Sequence, residues 1–199
     1  MKHKVLIITA LLVALCMPAL AQHKTTLYDS TSVVMEESGL SHVINHQRVR
    51  VEDFAGCRDM ATLKVDYDPL SAYVEFRQVR VYRHDGRVED IALDAYDYVA
   101  PARLIYWGAS QKMIQVGHLD PGDEVEYTTY RKGFTYALLQ GEDDKYIPPM
   151  RGHFYDIVPF WSNQPVQQKV YRVSVLTAKN LRFEVYNSPA GAVAIDSTV

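Results

Sequence analysis

The chain has 199 residues, 48% of them hydrophobic, with 21 basic and 24 acidic side chains and a formal net charge of −3. That length suits one domain with a full core and is short for two. A mildly acidic surface without basic clusters excludes nucleic acid as the expected partner and argues against adhesion to anionic lipid.

Residues 1–21, MKHKVLIITALLVALCMPALA, have a basic end, an apolar run from Val5 to Leu15 and small residues at Ala19 and Ala21. This pattern predicts a secretory signal peptide helix cut before Gln22. The run is shorter than the roughly 18 residues of a membrane span, so no stable membrane insertion is expected after cleavage. Cys16 follows Leu15 where a lipoprotein signal wants a small residue. The expected location is therefore exported, periplasmic or extracellular. Losing Lys2 and Lys4 leaves 19 basic against 24 acidic side chains, a net charge of −5. Cys57 is then the only thiol, so stability must come from sheet packing rather than disulfides.

In chain order, Thr25 to Glu37 reads as an entering extended segment, and Ser38-Gly39 breaks it. Leu40 to Glu52 alternates, with Val49 and Val51 inward and Arg48 and Arg50 outward, as in a half-buried strand. Asp53 to Met60 is a turn or a single helical turn. Thr62 to Tyr67 is a strand stopped by Asp68-Pro69, because proline cannot continue a ladder inside a sheet. In Ala72 to Ala92 strict alternation would put Val74 and Phe76 on one face and Val79 and Val81 on the other. The register therefore slips near Gln78, and a bulge is expected. His84-Asp85-Gly86-Arg87 makes a tight reversal, since Asp and Gly tolerate the positive φ of a hairpin turn. The hairpin is expected at the centre of the domain.

Leu93 to Arg103 reads as an irregular crossing, and Leu104 to Val116 as strand, interruption and strand. Leu119-Asp120-Pro121-Gly122-Asp123 is a second turn, launching a strand whose Val125, Tyr127 and Thr129 share a face. Gly141 to Gly152, with Glu142, Asp143, Asp144 and two prolines, is a surface loop. His153 to Trp161 is aromatic and expected to be extended. Gln167 to Thr177 and Leu181 to Asn187 alternate as strands. Short strands punctuated by turns predict an all-β sandwich or barrel, here a single domain over residues 22–199.

Chemistry is sparse. Gly56-Cys57 could carry a nucleophile only at the start of a helix with an imidazole in reach. Strand residues and a proline follow instead, and His84 and His118 lie in or beside turns. His42 and His46 are four apart, a metal-pair spacing on a helix, but on a strand they stand about 13 Å apart at roughly 3.3 Å per residue. The acids at 142–144 lack the alternating ligands of a calcium loop. No Gly-x-Ser-x-Gly elbow and no phosphate-binding loop is present. No catalytic residue, metal or cofactor is expected. Phe154, Tyr155, Phe160 and Trp161, with Tyr106 and Trp107 elsewhere, are candidates for an aromatic interaction surface, with Tyr155, Trp161 and Trp107 the foremost.

Three stretches together resemble one family: QRVRVEDFAGCRDMATLKVDYDP, EFRQVRVYRHDGRVEDI and VGHLDPGDEVEYTTYRKG. In that order they are similar to domain of unknown function 3857, an N-terminal β-domain of exported bacterial proteins that usually precedes a transglutaminase-like cysteine-protease domain. PFWSNQPVQQKVYRVSVLTAKNLRFEVYN is similar to its closing pair of strands, and the resemblance runs from about Val33 to Asn187. It implies an immunoglobulin-like antiparallel β-sandwich with a non-catalytic role, and an ordinary packed residue at Cys57. The chain ends near Val199 with no room for the protease domain, and the presence of the family's last strand stays open. A missing strand would leave an edge able to pair with another chain. The leading expectation is a non-catalytic binding module for a protein or glycan partner. The alternatives are a cysteine-dependent hydrolase or acyl transferase using Cys57, and a structural spacer of the envelope.

Overall fold

The computed structural model describes residues 22–69, 71–99, 110–134 and 156–175, together with Arg182, Glu184 and Tyr186. The signal segment, the loop at 141–152, Tyr155 and Trp107 lie outside the described residues.

Among the described residues the fold is all-β with one short helix. Strand β1 (Lys24–Met35) leads to β2 (Ser41–Val51), helix α1 (Phe54–Met60), β3 (Thr62–Tyr67), β4 (Ala72–Tyr82), β5 (Val88–Asp90), β6 (Tyr96–Val99), β7 (Ser110–Gln115), β8 (Glu124–Gly133) and β9 (Lys169–Val175). Six of these strands form one sheet in the order β5-β4-β8-β2-β1-β9, and three form a second in the order β3-β7-β6. The two sheets lie in a sandwich-like arrangement. One pair departs from the antiparallel expectation: β9 runs parallel to β1, from Asp29 opposite Lys169 to Met35 opposite Val175.

The core follows from register. Val49 stands opposite Val125 and Val125 opposite Val81, so a row of valines crosses three adjacent strands on one face. Leu63, Ile114 and Val116 close over that row from the second sheet and its exit, with Met60 and Cys57 from α1 and Leu119 from the turn before β8. Fully burying one such side chain stabilises the fold by about 1.5–3 kcal/mol. The bulge near Gln78 is present, between Phe76 and Gln78. Its extra residue resets the alternation, and Val74, Phe76, Val79 and Val81 are consequently all buried.

Several expectations are corrected. The β4–β5 hairpin sits at the edge of its sheet, because β4 gives its other side to β8 and nothing among the described residues pairs beyond β5. The segment from Asp53 to Met60 forms more than a single turn, as α1: Asp53 is extended at φ −150° and its Oδ1 accepts from the Gly56 N–H at 2.9 Å. This N-cap satisfies an otherwise unpaired donor and sustains seven helical residues. Gly56 is required there because a Cβ would stand 2.0 Å from the His23 carbonyl oxygen. The crossing after the hairpin contains a strand, β6, bonded to β7 from Tyr96 opposite Met113 to Val99 opposite Ser110. Residues 156–161, expected to be extended, carry no regular structure.

Candidate functional site

Cys57 is the fourth residue of α1, and its N–H bonds the Asp53 carbonyl at 2.9 Å as an ordinary helical donor. Its side chain is buried in the core cluster. Burial first, and then the negative charges of Asp123, Asp120 and Asp53, push the thiol above its ordinary pKa. A nucleophilic cysteine needs the opposite shift. Among the described residues no imidazole bonds its sulfur. The nearby His23 is taken up by Asp53, with Nδ1 2.7 Å from Oδ2.

The outer face of the large sheet carries a ladder of charged and aromatic side chains. His42 Nε2 lies 2.7 Å from Glu36 Oε1, and its Nδ1 lies 2.7 Å from the Tyr130 hydroxyl. His46 Nε2 lies 2.7 Å from Glu126 Oε1, while the Tyr82 hydroxyl donates to Glu126 Oε2 at 2.5 Å. Burial works to raise the Glu126 carboxyl pKa, and the bonds from Tyr82 and His46 bring it below its usual range. The two histidines thus serve different carboxylates and share no ligand set. The Arg48 guanidinium lies 4.0 Å over the Tyr82 ring and that of Arg77 lies 3.8 Å over the Tyr130 ring. These cation–π contacts cover the aromatic faces a sugar would stack on.

Trp161 stands apart from that ladder. In residues 156–161, Ile157 is 72%, Phe160 66% and Trp161 78% exposed. The stretch is anchored on both sides. The Tyr171 hydroxyl donates to Asp156, and Lys169 Nζ lies 5.8 Å from the Phe160 ring centre. Downstream, Thr26 N–H donates to the Pro165 carbonyl and Gln167 N–H to the Thr26 carbonyl, each at 2.9 Å. Three large apolar side chains are thereby held out from the surface beside β9. Phe160 and Trp161 were singled out by residue type; Ile157 was missed because nothing local distinguishes an exposed aliphatic residue from a buried one.

A fourth place joins two turns. Asp123 is fully buried and its carboxylate accepts four hydrogen bonds. Oδ1 takes the His84 N–H at 2.9 Å and lies 3.1 Å from His84 Nδ1. Oδ2 takes Arg83 Nη1 at 2.9 Å and the Asp120 N–H at 3.0 Å. Burial works to raise the Asp123 pKa, but these donors outweigh it and hold it at about 2. Arg83 also donates Nη2 to Glu89 at 2.6 Å. Ligand atoms of His84, Asp120 and Asp123 lie within 4.8 Å of one another, the group among the described residues able to surround a metal ion. The sequence hid this group, since His84 and Asp123 are 39 residues apart.

No helix among the described residues is long and apolar enough to cross a membrane.

Comparison with known proteins places the chain by sequence and leaves its chemistry open. No curated protein matches it. Among solved structures it is similar to a candidate protease from Parabacteroides distasonis, at 8% identity and a TM-score of 0.49, over 57% of this chain and 23% of that one. An M1 zinc metallopeptidase from Deinococcus radiodurans matches at 9% identity and a TM-score of 0.31, over 57% of this chain and 21% of that one. A CBM3a-L domain with flanking linkers, from a cellulosome scaffoldin of Clostridium thermocellum, matches at 11% identity and a TM-score of 0.34, over 71% of this chain and 97% of that one. The chain thus spans less than a quarter of the two peptidase-related structures, and at these scores none of the three carries an argument about activity. The model of the Domain of Unknown Function with solved-structure structure, DUF3857, matches residues 37–197, and the chain belongs to that family.

Proposed function

We propose that this chain is an exported, non-catalytic β-domain that accompanies transglutaminase-like proteins and binds a protein partner through the apolar stretch at Ile157, Phe160 and Trp161. The observation that carries the reading is the exposure of those three side chains on a segment tied down at Asp156 and Pro165. Holding an apolar group in water without a partner is unfavourable, and exposed patches rimmed by polar residues mark interaction sites. Tryptophan is the residue most enriched among those that dominate binding energy. A protein partner is favoured over a glycan because Ile157 offers an aliphatic contact, while the ringed tyrosines of the outer sheet face lie under arginines. The buried thiol at Cys57, with its raised pKa, supports a role without covalent catalysis.

The experiment is binding of the chain to a separately produced transglutaminase-like domain, read by titration calorimetry. Trp161→Ala together with Phe160→Ala should weaken the complex by roughly tenfold or more, and Cys57→Ala should leave it unchanged. Equal affinity for the double variant would remove this surface from the reading. A hydrolytic or crosslinking activity lost in Cys57→Ala would replace the reading with the enzymatic one, and capture of an oligosaccharide in place of the protein would make the partner a glycan.

A further inference from the structure

We propose that His84, Asp120 and Asp123 form a binding site for a divalent transition-metal ion of the zinc class, at the junction of the β4–β5 turn with the turn that precedes β8. The site is independent of the partner surface at Trp161 and rests on its own geometry.

The donor set is one imidazole nitrogen and two carboxylate oxygens, which suits zinc and its neighbours. Calcium and magnesium favour six or more oxygen ligands and would find too few here. His84 Nδ1 and Asp123 Oδ1 are 3.1 Å apart. Two ligands at about 2.1 Å on a tetrahedral ion stand about 3.4 Å from one another, so an ion fits between this pair with a few tenths of an ångström of movement. The Asp120 carboxylate lies within 4.8 Å of both and is partly exposed, so rotation about its side-chain bonds brings it into contact.

Lone-pair bookkeeping allows the arrangement. Of the four acceptor positions on Asp123, the backbone of His84, the backbone of Asp120 and Arg83 hold three. The fourth faces His84 Nδ1, where the ion would sit, with the imidazole proton on Nε2. The charge also favours a cation. Asp120, Asp123 and Glu89 are negative; the Arg83 guanidinium is shared between Asp123 and Glu89, and that of Arg87, held by Asp85, stands 3.9 Å from Glu89. Both carboxylates come from a single turn shaped by Pro121 and by Gly122 at φ +95°, and the position of the Gly122 Cβ would lie 3.5 Å from His84 Cβ. The ligands are therefore brought close by the fold before any ion arrives, which lowers the ordering cost of binding.

The test uses the full exported chain and zinc chloride in titration calorimetry, with calcium chloride as comparison and side-chain proton resonances of the histidines followed in parallel. One saturable equivalent of zinc should bind to the wild type and to Cys57→Ala, with shifts at the His84 ring and none from calcium. His84→Ala should abolish that equivalent, and Asp120→Asn should weaken it by roughly tenfold or more; melting curves in chelator confirm that both variants fold. Zinc bound equally by His84→Ala, no saturable binding up to millimolar zinc, or shifts confined to His42 and His46 would each overturn the proposal.

Discussion

The guanidinium of Arg83 meets the buried carboxylate of Asp123 at 2.9 Å, and the pair ties the hairpin at one edge of the large sheet to the turn that starts a central strand. Two backbone N–H groups and His84 complete the shell around Asp123. Removing Asp123 leaves Arg83 with Glu89 alone and takes the acceptor from the His84 and Asp120 N–H groups.

Asp123→Ala should accordingly destabilise the fold by about 3–5 kcal/mol. The pH dependence has a definite sign. The carboxyl pKa is held at about 2 in the folded chain against an ordinary 3.8, so its contribution is fully present above the ordinary value and is lost as pH falls from there toward 2. Urea unfolding of the wild type between pH 5 and pH 2 should show that loss. Asp123→Asn should show a shallower acid limb, and parallel curves for the two proteins would contradict the assignment.

Gly86 and Gly56 should fail for different reasons. Gly86 has φ +90° with open space around the position of a Cβ. Gly86→Val therefore costs backbone strain alone, about 1 kcal/mol or more. Gly56 lies under the His23 carbonyl, and Gly56→Ala forces α1 away from the chain at the start of β1. Its larger loss should appear in thermal melts as a lower midpoint than that of Gly86→Ala. The reverse order would mean the helix is not seated as described.

Cys57 should be slow to react. With the sulfur buried and the thiol pKa raised by burial and the surrounding carboxylates, alkylation of the native chain at neutral pH should proceed only through opening of the fold. Labelling in increasing urea should track the unfolding transition. Fast labelling in buffer alone would show an accessible thiolate and reopen the enzymatic alternative.

Local chemistry made the two turns, the bulge and the alternation of β2, β4 and β8 legible. The Asp-Gly hairpin, the Pro-Gly-Asp turn and the slipped valines each state their geometry within a few residues. Partnership between distant strands has no such signature. Nothing in the residues of β9 indicates that it lies parallel to β1, and nothing in Ala72 to Asp90 says that its hairpin is an edge. The short helix was underread because its evidence, Asp53 capping Gly56 beneath His23, involves a contact outside the segment. The candidate metal group was invisible for the same reason, since its imidazole and carboxylates meet only when two separate turns close on one another. Of the aromatic candidates, Phe160 and Trp161 are exposed, and Phe154, Tyr155, Tyr106 and Trp107 fall outside the described residues.

The parallel pairing of β1 with β9 also has a bearing on synthesis. Asp29 of β1 meets Lys169 of β9, 140 positions later, so one flank of the first strand stays open until β9 has been synthesised. Closing so distant a contact is slow. During that interval the growing chain presents bare amide and carbonyl groups to its surroundings, which makes the nascent form more dependent on folding helpers than the mature one.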